Sequence, residues 1–291
     1  MLLIVDGHTY AYRAFHAIRH LTSPAGAPTN AIYGFIKMLG KMRAWLHPTH
    51  LSVVWDGGLA DERTAALPEY KAHRPPMPAE LEPQLDEIIN YLQAAHLASF
   101  CRDGVEADDW IATVARQAAN AGMKVVIASS DKDFMQLVSP AVGLLNPNDK
   151  TETVWTDEQV RAKAGVEPSQ IVDWLSLVGD SVDNIPGVPG VGPKTAAELL
   201  QQFGSVTALY ERLAEVKSER LRASLQTAAE VVRRNQRLIR LRDDLPGDFS
   251  PDELVLKRAD DGRLRELFSR WGFKTLLKEV EAASTKQGVL L

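Results

Sequence analysis

Three apolar runs in the sequence each end in a carboxylate: LLIVD (2–6), LSVVWD (51–56) and VVIASSDKD (125–133). Continuous apolar runs of this length are typical of strands that are buried on both faces of a parallel sheet. Helix-like patterns alternate with these runs, near residues 9–19, 30–46, 79–96 and 106–121. The alternation predicts an α/β fold with a mostly parallel sheet flanked by helices.

The pattern changes at about residue 156. The short runs VGLLNP (142–147) and ETVWT (152–156) are the last clear strand candidates, and the sequence beyond them is mostly helical in pattern. We therefore expect two parts, an α/β core over residues 1–155 and a helical subdomain over residues 156–291. We find no internal repeat and no low-complexity tract.

Composition is that of an ordinary globular protein, with 45% hydrophobic and 24% charged residues in a chain of 291. The single cysteine, Cys101, excludes an internal disulfide. The first apolar run is interrupted at Asp6, which makes it too short for a signal peptide or a membrane span, so we expect a cytoplasmic protein. A net charge of −5 argues against indiscriminate nucleic-acid binding, although bound metal ions would neutralise part of it.

Acidic residues recur at the ends of these segments in the patterns E-x-D-D, D-x-D and D-x-x-D. Open α/β sheets bind ligands at the carboxyl ends of their strands, and a dense cluster of carboxylates requires cations. Oxygen ligands favour Mg²⁺ or Mn²⁺ over Zn²⁺. A turn or cap role is the alternative for any single acid, but the set predicts a divalent-metal site. Its members are Asp6, Asp56, Glu106, Asp108, Asp109, Asp131, Asp133, Asp180 and Asp183.

A long polar and basic stretch follows Asp56 and runs to about residue 80. It is too long for an ordinary connection in an α/β domain, and loops of this length are usually functional or disordered. Its cations are Arg63, Lys71 and Arg74, and Tyr70 offers a flat face for stacking on a base. A charged surface loop is the alternative. Its position directly after a predicted metal ligand favours a segment that covers the site.

The segment VGDSVDNIPGVPGVGPKTAAELLQQFGS (178–205) contains a glycine-rich turn. This turn runs into a helix that we expect to begin at Pro193. Gly187 and Gly192 have the separation of a nucleotide-binding P-loop, but Pro193 intervenes before the Lys-Thr pair and we expect no strand before the loop. The pattern G-V-P-G-V-G instead resembles the hairpin of a helix-hairpin-helix module, which binds the DNA backbone without reading sequence. A plain turn between helices is the alternative.

A group of arginines and a group of aromatic residues could each contact DNA or have a purely structural role. The segment 217–242 carries seven arginines, which predict either a track for the duplex backbone or a solvated helix face. We expect the second set to fill the core rather than to stack on bases: Trp174, Phe203, Phe268, Trp271 and Phe273.

Together these motifs resemble the 5′-nuclease, or flap endonuclease, family, and in particular the 5′-3′ exonuclease domain of bacterial DNA polymerase I and its stand-alone relatives. The resemblance covers almost the whole chain. It rests on DGHTYAYRAFHA (6–17), VVWD (53–56), LPEYKAHRPPMPAEL (67–81), GVEADD (104–109), SSDKDFMQL (129–137) and GDSVDNIPGVPGVGPKTAAELL (179–200).

The family resemblance implies a PIN-like sheet, a helical arch at about residues 58–80 and a C-terminal helix-three-turn-helix subdomain with its hairpin at 185–195. It also implies two neighbouring groups of ligands for Mg²⁺ or Mn²⁺. Two ions about 4 Å apart would there promote hydrolysis of a phosphodiester bond. The first group would be Asp6, Asp56, Glu106, Asp108 and Asp109, and the second Asp131, Asp133, Asp180 and Asp183.

The same resemblance implies roles for the cations and for the hairpin. Lys71 and Arg74 become candidates for contacting the scissile phosphate, with Arg63 and Tyr70 near the substrate and Arg13 as a further basic position. The hairpin would bind duplex DNA and hold a monovalent cation such as K⁺ through backbone carbonyls. Its predicted DNA-binding residues are Gly187, Gly190, Gly192, Lys194 and Thr195.

The resemblance therefore predicts a structure-specific 5′-3′ exonuclease or flap endonuclease that acts in primer removal and repair. Its partners would be DNA with a 5′ flap, nick or 5′ end, including RNA-primed DNA, together with a DNA polymerase and a ligase. We expect a monomer without a membrane partner. The alternatives are a PIN-like ribonuclease and a non-catalytic DNA-binding relative.

Overall fold

A computed structural model describes residues 1–149, 153–247 and 250–288 of the chain, with side chains as far as residue 282. The chain divides into two compact units. Unit 1 is formed by residues 1–56, 76–102 and 248–291, and unit 2 by residues 57–75 and 103–247.

The elements alternate between strand and helix in the first half, and are mostly helical in the second. In chain order they are β1 (Leu2–Asp6), α1 (Gly7–Ala17), α2 (Asn30–Leu46), β2 (His50–Trp55), α3 (Asp61–Ala66), α4 (Glu82–Ala94), β3 (Ala98–Cys101), α5 (Ala107–Asn120), β4 (Val125–Ala128), β5 (Val142–Leu145), β6 (Val154–Trp155), α6 (Asp157–Ala164), α7 (Ile171–Val178), β7 (Gly179–Asp180), β8 (Ile185–Pro186), α8 (Pro193–Phe203), α9 (Val206–Glu211), α10 (Glu219–Thr227), α11 (Ala229–Ile239), α12 (Pro251–Leu254), α13 (Asp261–Trp271) and α14 (Lys274–Gly288). Short 3₁₀ turns lie at Lys132–Leu137, Pro168–Gln170 and Leu213–Glu215.

Unit 1 is built on three parallel strands in the order β3-β2-β1. Every residue of β1 is buried, as expected for a strand that is covered on both faces. The register pairs Ile4 with Ser52 and Asp6 with Val54, so the carboxyl ends of β1 and β2 lie side by side. Helix α1 packs against α2, and α4 contacts both α2 and α13.

Unit 2 carries β4 and β5 in parallel, with the short β6 antiparallel to β5. Its helical part centres on α7, which packs against α8 and α11. Between α7 and α8 the two-residue strands β7 and β8 form an antiparallel hairpin, with Asp180 opposite Ile185. This hairpin and the first turn of α5 carry several of the predicted metal ligands.

The prediction of an α/β fold with a mostly parallel sheet flanked by helices is confirmed, since β1–β2, β2–β3 and β4–β5 all pair in parallel. The five aromatic residues expected in the core are buried. The boundary at residues 155 and 156 stays a prediction.

Two local features differ from expectation, at β3 and at β8. The sequence did not predict β3, whose four residues alternate weakly and include a serine and a cysteine. The segment 58–80, for which a helical arch was expected, contains one short helix, α3, whose first turn carries Asp61 and Glu62 where the helix dipole favours acids. Strand β8 lies within the glycine-rich segment and directly precedes Gly187, so the expectation that no strand leads into the loop was wrong.

No helix in the described part of the chain is long and apolar enough to cross a membrane.

Candidate metal centre

The start of α5 presents three of the predicted ligands. Glu106 is the N-cap residue, but its side chain makes no capping hydrogen bond. Instead the backbone N–H of Ala60 donates to Glu106 Oε1 at 3.2 Å. Glu106 and Asp109 are buried, whereas Asp108 is partly exposed. The carboxylate of Glu106 therefore binds the segment 57–75 rather than the helix end.

Arg63, from α3, lies against the same acids. Its guanidinium donates to both oxygens of Asp109, at 2.8 Å and 2.7 Å, and lies 3.0 Å from Glu106 Oε1. Burial alone would lower the pKa of Arg63, but the hydrogen bond with Asp109 and the charge of Glu106 raise it above its ordinary value. Arg63 therefore remains charged and fixes two predicted ligands.

Lys71 and Tyr70 contact the other oxygen of Glu106. Lys71 Nζ forms a short ion pair with Glu106 Oε2, and the Tyr70 hydroxyl donates to the same oxygen at 3.1 Å. Burial opposes the charge of Lys71, yet Asp108, Tyr70, Glu106 and Asp183 together raise its pKa. The backbone of Lys71 is left-handed, with φ 55, and its N–H donates to the carbonyl of Asp183 at 3.0 Å. Both side chains are thus turned towards the acids rather than towards solvent.

Two further cations pair with the acids of the β7–β8 hairpin. Arg74 Nη2 lies 2.6 Å from Asp183 Oδ1, and Lys132 Nζ lies 3.1 Å from Asp180 Oδ1. Asp180 and Asp183 are buried, while the side chains of Arg74 and Lys132 are 41% and 40% exposed. In each pair the cation therefore reaches solvent, whereas the carboxylate does not.

Asp133 has a different environment. It follows Asp131, whose side chain accepts a hydrogen bond from the Asp133 N–H at 2.8 Å and so begins the 3₁₀ turn. Asp133 Oδ1 is buried and has no hydrogen-bond partner. Burial raises the pKa of Asp133 well above its ordinary value, and the charges of Asp131, Asp108, Asp183 and Asp180 add to the shift. A buried carboxylate oxygen without a donor, among four other acids, is a place that a cation would stabilise.

As they stand, the acids do not form a ready ligand set. Among the residues that the structure describes, no group of three or more His, Cys, Asp or Glu side chains could hold a metal ion. The ion pairs give the reason, because protein cations contact Glu106, Asp109, Asp180 and Asp183. The donors are all carboxylate oxygens, which suit Mg²⁺ or Mn²⁺.

Asp6 and Asp56 belong to unit 1. Asp6 is buried and caps α1, where its two oxygens accept from the Thr9 N–H at 3.0 Å and from the Thr9 hydroxyl at 2.6 Å. Asp56 follows β2, and its N–H donates to His8 Nδ1 at 3.2 Å. Arg13 is exposed on α1. Asp6 thus has the cap role that was its structural alternative, and its role as a ligand stays a prediction.

The glycine hairpin is closely packed. A Cβ at Gly187 would lie 2.1 Å from the carbonyl oxygen of Val178, and one at Gly179 would lie 2.4 Å from the Gly187 nitrogen. Only glycine permits this approach of two backbone segments. Helix α8 begins at Pro193 as predicted, and the side chain of Lys194 is 92% exposed. The DNA-contact roles of this hairpin stay predictions.

Sequence reasoning missed Lys132 as part of the site. A lysine between the two acids of D-K-D was the available signal. It also treated Arg63 and Tyr70 as substrate contacts, whereas the structure buries both against Glu106. In the basic segment 217–242 five arginines are exposed, which leaves both interpretations of that segment open: Arg220, Arg233, Arg237, Arg240 and Arg242.

Comparison with known protein families identifies two matches that together cover residues 1–262. The family described as "5′-3′ exonuclease, N-terminal resolvase-like domain" matches residues 1–165. The family described as "5′-3′ exonuclease, C-terminal SAM fold" matches residues 166–262.

Some similar proteins are about as long as this chain, and others are much longer. A 5′-3′ exonuclease of Aquifex aeolicus is 40% identical over 280 residues, which are 96% of this chain and 95% of that protein. A DNA polymerase I of Bacillus caldotenax is 38% identical over 288 residues, which are 98% of this chain but 33% of the polymerase. The chain thus spans about a third of the length of the polymerase relatives.

Solved structures share the fold. A bacteriophage T5 5′-exonuclease with bound zinc ions has a TM-score of 0.69 and 22% identity, covering 97% of this chain and 98% of that one. A T5 D15 flap endonuclease in a complex with DNA and metal ions has a TM-score of 0.68 and 20% identity, with the same coverage. The catalytic core of Rad2 in complex with a DNA substrate has a TM-score of 0.66 and 15% identity, over 96% of this chain and 92% of that one.

Proposed function

The chain belongs to the 5′-3′ exonuclease family and is a nuclease, and we propose that it cleaves DNA near single-strand/duplex junctions with divalent metal ions held by its clustered acids. One observation carries the metal part of this proposal, the buried Asp133 oxygen that lacks a donor. Four neighbouring acids raise the pKa of the same carboxyl group. A divalent cation there would relieve both the missing hydrogen bond and the repulsion.

Mg²⁺ is the proposed ion, with Mn²⁺ as its substitute, in two regions. Ions at these positions would generate a nucleophile near neutral pH and stabilise charge on the phosphate and the leaving oxygen. Asp131, Asp133, Asp180 and Asp183 would hold one region. In the other region Glu106 and Asp108 of unit 2 are the proposed ligands; Glu106 is now paired with cations of the segment 57–75, and Asp109 is paired with Arg63.

Lys71 and Arg74 are proposed to stabilise the phosphate. In the structure they neutralise Glu106 and Asp183 respectively. Once metal ions take over these carboxylates, both cations become free to pair with a phosphate at the same place. A well-placed charged donor contributes about 3 kcal/mol to transition-state stabilisation in other enzymes. The two residues would therefore orient the substrate and neutralise its developing charge.

Duplex DNA is the proposed partner of unit 2. The glycine hairpin is exposed at Gly190 and Lys194, and exposed arginines follow it on α10 and α11. Cations on such a surface neutralise backbone phosphates without reading bases. Backbone carbonyls of the hairpin are the proposed site of a K⁺ ion. We further propose a monomer in the cytoplasm that acts on DNA with 5′ ends and flaps, including RNA-primed ends, beside a DNA polymerase and a ligase.

A flap duplex labelled at its 5′ end tests the proposed function. We expect cleavage near the junction with Mg²⁺, no cleavage with EDTA, and none with Asp133→Ala. Asp157→Ala is a matched control, because Asp157 is an exposed acid in the first turn of α6. Binding without cleavage in either Mg²⁺ or Mn²⁺ would instead support a non-catalytic DNA-binding protein.

A further inference from the structure

Four N–H groups of the Arg63 guanidinium donate hydrogen bonds inside the protein, and its Nη1 also forms an ion pair with Glu106. Its Nε donates to the carbonyl of Leu238 at 2.9 Å. Its Nη1 donates to Asp109 Oδ2 at 2.8 Å and lies 3.0 Å from Glu106 Oε1. Its Nη2 donates to Asp109 Oδ1 at 2.7 Å and to the carbonyl of Arg240 at 3.2 Å. An arginine has five such donors; four of those of Arg63 are bonded, and its side chain is only 7% exposed and also pairs with Glu106, so the guanidinium is not presented to a phosphate.

Asp109 is equally occupied. Its Oδ1 accepts from Arg63 Nη2 and from the backbone N–H of Arg242 at 2.9 Å, and its Oδ2 accepts from Arg63 Nη1. The side chain of Asp109 is 3% exposed and that of Arg63 is 7% exposed. Asp133 makes a clear contrast, since its buried Oδ1 has no protein donor.

Glu106 depends on this pair for its position. Its Oε1 is fixed by Arg63 and by the N–H of Ala60, which leaves Oε2 to face Lys71 and Tyr70. The bonds from Arg63 to the carbonyls of Leu238 and Arg240 tie α3 to the end of α11. Arg63 therefore connects the segment 57–75, the start of α5 and the end of α11.

We propose that Arg63 and Asp109 form a supporting ion pair that positions Glu106, and that Arg63 contacts no phosphate and Asp109 no metal ion. This replaces the roles that the sequence suggested for both residues. It rests on the proposed function, in which Glu106 is a metal ligand. Arg63 is thus a positioning residue, and the charge contacts to DNA from this segment come from Lys71 and Arg74.

The salt dependence of DNA binding separates a phosphate contact from a supporting role. A flap duplex is bound to Arg63→Gln, to Arg74→Gln and to the wild type in EDTA, and the affinity is measured by fluorescence anisotropy over a range of salt concentrations. The logarithm of the binding constant falls as the logarithm of the salt concentration rises, and loss of one phosphate contact reduces the steepness of this fall by about 0.9. We expect the wild-type slope for Arg63→Gln and a reduced slope for Arg74→Gln.

A reduced slope for Arg63→Gln would overturn the proposal. Unchanged slopes for both variants, together with wild-type DNA binding, would support it and would contradict the proposed role of Arg74 instead. Failure of the supporting role of Arg63 and failure of the phosphate contact of Arg74 would therefore give different results.

A double variant keeps the proposal testable even where a single variant is poorly folded. Breaking a buried ion pair leaves an uncompensated charge, whereas an apolar pair of similar volume is often tolerated. We expect Arg63→Met and Asp109→Leu each to lower the thermal midpoint. The combined variant should melt above both, and it should bind Mn²⁺ in the absence of DNA more tightly than either single variant.

Independent roles predict the opposite result. A double variant that melts and binds Mn²⁺ no better than the worse single variant would show that the two residues do not act as a pair. Absence of Mn²⁺ binding by the wild type would contradict the proposed function, while recovery of the thermal midpoint would still support the ion pair.

Discussion

Two carboxylates of unit 2, the buried Glu106 and the partly exposed Asp133, have opposite electrostatic environments. Glu106 is contacted by Lys71 and Arg63. Burial alone would raise the pKa of Glu106, but these two cations hold it below its ordinary value. Asp133 has acids as its charged neighbours, and burial with their repulsion raises its pKa. The first carboxylate is neutralised by protein cations, whereas the second has a buried Oδ1 without a hydrogen-bond donor. On the proposed function, a metal ion would bind directly at Asp133, whereas at Glu106 it would first have to displace a side chain.

The largest expected effect is on catalysis at Asp133. Asp133→Asn should reduce flap cleavage in Mg²⁺ on the order of 10³-fold, because metal ions supply several kcal/mol of transition-state stabilisation. The same change removes a buried negative charge whose Oδ1 has no donor. Unfolding by urea in EDTA should therefore show no loss of stability. A variant that is inactive because it is unfolded would contradict this contrast.

Glu106→Gln should behave in the opposite way. Lys71 and Arg63 would be left buried without their acidic partner, and breaking a buried pair costs about 3 kcal/mol or more. We expect a lower free energy of unfolding in urea even without metal. Glu158→Gln, at an exposed position of α6, is the matched control. A stable Glu106→Gln protein would show that the cations do not depend on this carboxylate.

Arg74→Gln should affect turnover more than folding. Its side chain is 41% exposed, so losing its ion pair with Asp183 should cost less stability than losing a pair in which both partners are buried. Removing one charged donor from a transition state costs on the order of 10²-fold in kcat. Single-turnover cleavage and thermal unfolding, measured together, check both parts. A large drop in the thermal midpoint with unchanged kcat would contradict the proposed phosphate contact.

Lys132→Met should have the smallest effect on stability, below about 1 kcal/mol, because the Lys132–Asp180 pair is partly exposed. Metal binding should instead become tighter, since this cation competes with the metal ion for Asp180. Titration with Mn²⁺ in the absence of DNA measures the change, and Lys163→Met in α6 is the control. Weaker Mn²⁺ binding by Lys132→Met would show that the lysine supports the site rather than competing for it.

Much of the fold follows from sequence because the deciding signals are local. The apolar runs that became β1, β2 and β4 and the amphipathic pattern of α5 depend on neighbouring residues only. The position of the recurring acids at the ends of strands and helices is visible in the sequence for the same reason. The weak alternation in β3 explains why that strand was missed.

The pairing within the site was not predictable in the same way. Arg63 bonds to the carbonyls of Leu238 and Arg240, which lie far along the chain. A sequence shows that Arg63 is a cation in a basic segment, and a basic segment beside acids suggests a phosphate contact. Only tertiary structure reveals that four of its donors bond to protein acceptors and that it also pairs with Glu106. Lys132 is the exception, since its place within D-K-D was visible in the sequence.

The most direct test is to count the Mn²⁺ ions that bind to the wild type and to Asp133→Asn without DNA, using the electron paramagnetic resonance signal of free Mn²⁺. We predict that the wild type binds Mn²⁺ and that Asp133→Asn loses at least one ion or binds it at least about tenfold more weakly. Equal number and affinity of bound ions in the two proteins would show that the buried Asp133 carboxylate is not a metal ligand.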